Sequence, residues 1–533
     1  MIYLLPHTVD NSAMKWANRD ALICGEESIS YEQLSRRSNG LAFLLRDLGI
    51  RRGDRVGILM HKDLAAGVAI HGIMKCGAAY VPLDPDSPPE RLRMVIKDCG
   101  ITCVVTREED STIAAMLATP STGIRTLVGL NEPPNRSTSV IPWDVVLAES
   151  TDCLPAVNLL ELDLAYILYT SGSSGNPKGI MHTHRSGLSW AQVSAAAYKL
   201  SETDRISNFA PLHFDLSTFD YFAAASVGAA TVIIPEAHTR IPASLSQLLA
   251  DQRLTVLYCV PLALTQLLLH GALSKRDLTA LRWVLFAGEP MPVKYIRDLM
   301  GALPAAKFAN IYGPTETNAC THFILPERDK IADRPLPIGK PYPNVELMVI
   351  DDKDRQVNDG EIGELVVRSP TMMSGYWRRP ELNEKTFYLD RLTSDFEKVF
   401  YRTGDLVRMR PDEEVEFLGR QDRQIKTRGH RVELDEVEAV LLENPAVTSA
   451  ATFPLKDGQG GLKIGAAVVA QASVTRAEIR EHVARRLPPY AIPCRIEIRN
   501  SMPQTPTGKV DRNVLAKSAD AEEISRKAMR IPR

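Results

Sequence analysis

The sequence predicts a layered α/β protein. A large N-terminal domain of mixed and parallel sheets covered by helices spans residues 1–421, and a small α+β C-terminal domain spans 422–533. Three observations carry this. Short apolar or β-branched runs alternate with helix-patterned segments across the first four hundred residues, as parallel sheets with helical crossovers require. The pattern changes near Gly419, where the apolar strands give way to a charged stretch and then a compact α+β set. A length of 533 residues exceeds what one hydrophobic core usually supports.

Taken in order, Ser30-Tyr31-Glu32-Gln33 reads as a capping box, followed by Leu34, Leu41, Leu45 and Leu48 at helical spacing. Residues 55–60 read as a strand and 64–75 as a helix. Further strands are expected at 103–106, 126–130, 164–168, 231–235, 257–261 and 283–287, and a helix at 185–198. The charged segment 419–431 reads as a linker. Beyond it come a helix at 435–443, a strand near 464–469, a helix at 476–487 and a loosely held terminal helix within 516–533.

Composition narrows the function classes. The chain is 44% hydrophobic and 24% charged with a net charge of −2, which gives no electrostatic footprint for nucleic acid or an anionic membrane. No basic stretch leads into an apolar core at the N-terminus, so a cytoplasmic protein without a signal peptide is expected. The longest apolar stretch, 222–234, is too short to span a bilayer and contains Ser226 and Thr231. The eight cysteines are scattered. Cys99 and Cys103 form the closest pair and have no second pair, so neither zinc nor a disulfide framework is indicated. His182 and His184 have no third ligand nearby and read as packing or capping residues.

One loop points to chemistry: Tyr169-Thr170-Ser171-Gly172-Ser173-Ser174-Gly175-Asn176-Pro177-Lys178-Gly179. It joins an apolar strand to a helix. Its glycines let backbone N–H groups converge on an anion, and hydroxyl donors and one lysine share the same turn. Such a loop cradles a polyphosphate. It is not a Walker A loop, because Pro177 precedes Lys178 and Gly179 follows it.

With the motifs that follow it in order, the chain resembles the adenylate-forming superfamily, and within it the amino-acid-activating adenylation domains of nonribosomal peptide synthesis. The matching stretches begin with Met74-Lys75-Cys76-Gly77-Ala78-Ala79-Tyr80-Val81-Pro82-Leu83-Asp84 and the phosphate loop. They continue with Phe214-Asp215-Leu216-Ser217, Asn310-Ile311-Tyr312-Gly313-Pro314-Thr315-Glu316 and Tyr401-Arg402-Thr403-Gly404-Asp405-Leu406. They close with Gly419-Arg420-Gln421-Asp422-Arg423-Gln424-Ile425-Lys426, Leu487-Pro488-Pro489-Tyr490 and Thr507-Gly508-Lys509-Val510-Asp511-Arg512.

The resemblance implies ATP and Mg²⁺ and a two-step reaction. A carboxylate attacks the α-phosphate of ATP, and a thiol then displaces AMP. In that scheme Thr170, Ser171, Gly172, Ser173, Ser174, Gly175 and Lys178 would hold phosphates. Glu316 would bind Mg²⁺. Tyr312 would stack on adenine, lined by Gly288, Glu289, Pro290 and Asn310, and Ile311, Gly313 and Thr315 would also bind ATP or AMP. Asp405 would accept the ribose hydroxyls and Arg420 would contact ribose or phosphate. Lys509 would bridge the substrate carboxylate and the α-phosphate, and Lys426 would serve the second half-reaction. The C-terminal domain would be mobile, with Asp422 as its hinge.

Asp215 stands where members that use amino acids pair with the substrate ammonium; a helix N-cap is the bland alternative. The family's pocket positions carry over to Asp215, Leu216, Phe219, Tyr258 and Leu285, then Ala287, Ile311, Ala319, Cys320 and Lys509. This apolar set resembles that of free-standing prolyl-activating members. It departs at Ala319, where a larger aliphatic residue is usual. The resemblance therefore implies L-proline as substrate and a separate carrier protein, through its phosphopantetheine thiol, as partner. The alternatives are an acyl-CoA synthetase-like ligase for another small acid and a non-catalytic binding protein on the same scaffold.

Overall fold

The computed structural model describes residues 1–148, 150–154, 156–172, 176–390, 397–458, 461–471, 474–504 and 510–519. The chain divides into two compact units. The first holds Met1–Pro85, Ile96–Tyr169 and Gly179–Gln421; the second holds Asp86–Val95, Thr170–Lys178 and the residues from Asp422 on.

Two large sheets organise the first unit. One has nine strands among the described residues, and its centre is parallel: Lys307–Tyr312, Trp283–Ala287, Val256–Cys259, Arg205–Asn208, Ala230–Ile233 and Asp20–Cys24. Antiparallel strands close both its edges. The other has eight among the described residues, including parallel Ala79–Leu83, Arg55–Leu59, Cys103–Thr106 and Thr126–Val128. Helix Leu64–Lys75 is apolar all round and buried along nearly its whole length, as a helix without a polar face must be. Helix Tyr31–Asp47 begins with the capping box expected of Ser30 and Gln33, and buries Leu34, Leu41 and Leu45. The apolar stretch 222–234 is not one element: a helix ends at Val227, and strand Ala230–Ile233 follows. Among the described residues no helix is long and apolar enough to cross a membrane.

A third sheet departs from the parallel expectation. Glu346–Ile350, Ile362–Arg368, Lys398–Met409, Phe387–Asp390 and Val415–Arg420 pair antiparallel throughout. Over much of its length Lys398–Met409 alternates buried and half-exposed residues, the signature of a strand with one wet face.

The second unit contains the hairpin Gln424–Thr427/His430–Glu433 and the sheet Val447–Lys456, Leu462–Ala470, Arg495–Arg499. Helices Leu434–Leu442 and Arg476–Ala484 pack on it through Val437, Leu441, Ile479 and Val483. The hairpin replaces most of the linker read over 419–431. Its charge concealed two strands that also bond through their side chains, as where Gln424 Nε2 donates to Glu433 Oε1 at 2.5 Å. The terminal helix expected within 516–533 lies largely outside the described residues.

Candidate active site

In the first unit Tyr258, Leu285, Ala287, Ile311 and Tyr312 lie toward the carboxyl ends of parallel strands, where open α/β sheets bind ligands. Register decides which side chains share a face. Leu285 lies opposite both Tyr258 and Ala309, and Ala287 lies opposite Ile311. With a period of two, these residues project to one side, while Val284, Phe286 and Phe308 pack on the other. Tyr258, Leu285, Ala287 and Ile311 join Leu216, Phe219 and Ala319 in one buried cluster. Cys320 packs instead with Tyr312, Val349 and Leu365.

Asp215 leads into this wall. The helix that follows runs Leu216–Thr218, widens into a π-helical turn at Phe219–Ala223, and resumes as Ala224–Val227. Such turns recur at functional sites. Here the wider turn carries Phe219, whose ring meets Tyr258 edge-on at 5.1 Å. The Asp215 side chain makes no capping bond to this helix; its Oδ2 accepts the Thr315 hydroxyl at 2.6 Å.

Glu316 is fully buried in the turn Thr315–Thr317. The Tyr376 hydroxyl donates to its Oε1 at 2.7 Å, and the Met373 N–H donates to its carbonyl at 2.7 Å. His182 braces the same turn, its Nε2 lying 2.9 Å from the Thr315 carbonyl. Burial pulls His182 down to about 4, so the ring is neutral near pH 7. A carbonyl only accepts, so the proton belongs on Nε2, and Nδ1 accepts from Asn318 Nδ2 at 3.3 Å. Asn318 adopts a left-handed backbone (φ 57°), held there by bonds to the Thr371 carbonyl and from the Tyr166 hydroxyl. A buried carboxylate whose rotation is fixed by a phenol fits the hard oxygen donor that Mg²⁺ takes beside phosphates.

Asp405 stands opposite Arg420 in the antiparallel sheet. Arg420 donates to its Oδ1 and the Tyr312 hydroxyl to its Oδ2, while its own N–H bonds Thr403 Oγ1 at 3.0 Å. Burial and the adjacent Asp405 charge push the Tyr312 phenol well above its usual value, which keeps it a donor. Asn310 donates to the Pro337 carbonyl at 2.9 Å. Gly288, Glu289 and Pro290 follow directly on strand Trp283–Ala287. Gly313 sits between Tyr312 and the Thr315–Thr317 turn.

The phosphate-loop residues fall in the second unit. Ser171 Oγ donates to the Arg431 carbonyl at 3.0 Å and accepts from the Glu433 N–H at 3.2 Å. At Gly172 a Cβ would lie 2.2 Å from the Asn176 carbonyl oxygen, so the turn admits no side chain there. The Thr170 hydroxyl is buried with no hydrogen-bond partner among the described residues. Burial raises the Glu433 carboxyl, against the charges of Arg431 and Lys178, which lower it. Lys426 lies opposite Arg431 in the hairpin, and Asp422 Oδ1 accepts the Gln424 N–H at 3.1 Å. Ser173, Ser174, Gly175 and Lys509 lie outside the described residues.

Comparison with known proteins shows the family. Residues 9–377 match the family described as AMP-binding enzyme, and 436–509 match the AMP-binding enzyme C-terminal domain. The chain belongs to the AMP-binding enzyme family. It is 33% identical to an L-proline--[L-prolyl-carrier protein] ligase of Pseudomonas fluorescens, over 97% of this chain and 99% of that one. It is 35% identical to a ligase of the same name from Streptomyces coelicolor, over 94% of each. In fold it matches an amide bond synthetase from Marinactinospora thermotolerans with a TM-score of 0.83, at 24% identity over 97% and 99% of the two chains. The adenylate-forming fold expected from the motifs is therefore the fold of this AMP-binding enzyme.

Several groups in the site had no signal in the sequence. Tyr376, which holds Glu316, lies 60 positions from it. The Tyr198 and Tyr342 hydroxyls meet at 2.5 Å, 144 positions apart, in the same cluster as Phe219. No local pattern marks such pairs. Tertiary packing brings them together: Glu316 follows a strand of the nine-stranded sheet while Tyr376 lies in the eight-stranded one, and Tyr198 ends helix His184–Ala197.

Proposed function

We infer that this AMP-binding enzyme activates an amino acid, L-proline above others, and transfers it to the phosphopantetheine thiol of a separate carrier protein. The observation that carries this reading is the similarity, over nearly the whole of each chain, to two ligases named for that reaction. In the first step a substrate carboxylate oxygen bonds to the α-phosphorus of ATP, and the bond to pyrophosphate breaks. In the second the thiol attacks the acyl carbon and AMP leaves with the bonding pair. Because the reaction consumes ATP, we place it in the cytoplasm.

The protein's part is alignment and charge. Asp215 would pair with the substrate ammonium. Phe219, Tyr258, Leu285 and Ala287 offer a wall without a second charge, which suits a short apolar ring. Thr315 would keep the Asp215 carboxylate turned toward that wall through its hydroxyl. Asp405, oriented by Tyr312 and Arg420, would receive the ribose. The unpartnered Thr170 hydroxyl and Lys178 would take phosphate oxygens. Glu316 would hold a magnesium ion, which supplies countercharge to the phosphates. Lys509 and Lys426 would alternate as the C-terminal domain turns about Asp422. Asp422→Pro should then slow thioester formation more than adenylation, since proline fixes φ near −65°.

ATP–pyrophosphate exchange across a panel of amino acids tests the reading. Proline should lead, with pipecolate, azetidine carboxylate and valine as weaker substrates, because one methylene separates neighbours by only ~1–3 kcal/mol. Valine or leucine exceeding proline several-fold overturns the choice of substrate. No exchange with any amino acid overturns the ligase.

A further inference from the structure

The two stems of the Gly/Ser-rich loop are tied to each other and to one acidic residue. Tyr169 precedes the loop and Gly179 follows it, in adjacent strands of the eight-stranded sheet. The Tyr169 ring lies over Gly179: a Cβ there would meet its Cζ at 2.9 Å and its Cε2 at 3.1 Å. An aromatic ring covering a cross-strand glycine is a known way to pin register. The Tyr169 hydroxyl donates to Asp98 Oδ2 at 2.6 Å, and Arg379 Nη2 bonds Asp98 Oδ1 at 2.9 Å. The second stem reaches the same residue by another route. Trp377 N–H donates to the Gly179 carbonyl at 2.8 Å, and its indole Nε1–H donates to the Asp98 carbonyl at 3.0 Å. The Arg55 guanidinium lies 5.0 Å from the Trp377 ring and donates through Nε to the Cys99 carbonyl at 2.8 Å. Burial and the neighbouring Cys99 and Asp98 keep the Tyr169 phenol protonated, so it remains the donor.

We propose that Tyr169 and Asp98 are positioning residues for the triphosphate: a phenol–carboxylate brace that fixes the distance and register of the two stems from which the phosphate loop is hung. Any backbone that binds an anion through its N–H groups must be ordered to do so, at a cost in conformational entropy. Fixed stems reduce that cost before ATP arrives, which is preorganisation and acts on nucleotide affinity. Neither residue needs to touch the nucleotide. The amino-acid pocket is built on other strands and does not share the brace.

This rests on the reading of residues 170–178 as the phosphate loop, and the experiment separates the two. Tyr169→Phe keeps the ring over Gly179 and removes only the hydroxyl. In pyrophosphate exchange with proline we expect KM for ATP to rise about tenfold, the loss expected for a hydrogen bond to a charged group. KM for proline should stay within about twofold, and the thermal melt should fall by no more than ~2–4 °C, the cost of one such bond in a chain this long. Asp98→Asn keeps an acceptor but drops the charge, and should give a smaller rise in the same constant alone. It decides the matter if Tyr169→Phe folds poorly. Lys178→Ala is the control. If it raises KM for ATP while Tyr169→Phe and Asp98→Asn do not, the brace is overturned and the phosphate loop stands. If none of the three changes KM for ATP, both are overturned. A parallel rise in both KM values with a lowered melt also overturns the proposal, since it marks a merely structural contact.

Discussion

Two carboxylates at this site are held in opposite ways. Asp405 is clasped by a cation and a phenol, Arg420 and Tyr312, within an antiparallel sheet. Asp215 accepts a neutral hydroxyl, that of Thr315, beside a wall of Phe219, Tyr258, Leu285 and Ala287. If Asp405 receives the ribose and Asp215 the substrate ammonium, as proposed above, the first carboxylate meets a neutral ligand with its own cation beside it, and the second meets a cationic one.

The largest effect should come from the residue proposed to serve both ends. Lys509→Ala is expected to cut adenylation by ~10²–10³, the cost of losing one preorganised charge partner. Thioester formation from a supplied acyl-adenylate should fall far less. Equal losses in both steps would remove the idea that the lysine leaves after the first.

Next come the two aspartates, which should fail differently. Asp215→Ala should lower exchange with every amino acid by about 10²-fold, because a buried ammonium without its partner costs several kcal/mol. It should leave ATP affinity in place. Asp405→Ala should raise KM for ATP and also lower the melting temperature by ~2–4 °C, since Arg420 is left half-desolvated without its carboxylate. If the two variants share one kinetic signature, the two ends are not independent.

Acid should weaken the first unit. His182 and His184 are both pulled down to about 4 by burial. Their ordinary value is near 6.5, so the unfolded chain takes up protons that the folded chain refuses. Stability from these groups is complete above pH 6.5 and is lost as pH falls toward 4. At about 1.4 kcal/mol per unit, a depression of roughly 2.5 units in each gives at most ~7 kcal/mol for the two together. Urea midpoints measured between pH 7.5 and 4.5 should show the decline, and His184→Gln should flatten it. A profile unchanged by that substitution would assign the acid sensitivity elsewhere.

The smallest effect lies in the pocket wall. Ala319 is buried in the Phe219 cluster. Ala319→Val should shift preference from pipecolate toward azetidine carboxylate by about tenfold, within the ~1–3 kcal/mol that a methylene allows. Uniform loss on all ring sizes would mean that position 319 does not face the substrate.

The sequence alone determined the elements whose physics is local. The capping box of Ser30 and Gln33, the buried helix Leu64–Lys75 and the strand Trp283–Ala287 follow from side-chain hydrogen bonding and from periods of 3.6 and two, and all are legible within a dozen residues. The motif order identified the family for a similar reason: each motif is a short run with its own chemistry. The structure alone decided the pairings between distant segments. Charge in 419–431 looked like a linker because nothing local shows that Gln424 will bond Glu433 across a hairpin. A helix cap was the bland alternative for Asp215; its carboxylate accepts the hydroxyl of Thr315, one hundred positions on, and makes no capping bond. The Tyr169 hydroxyl has no legible purpose until Asp98 arrives beside it on another segment, 71 positions away. Hydrogen bonds between remote side chains depend on sheet order and register, and these are properties of the packed chain rather than of any stretch of it.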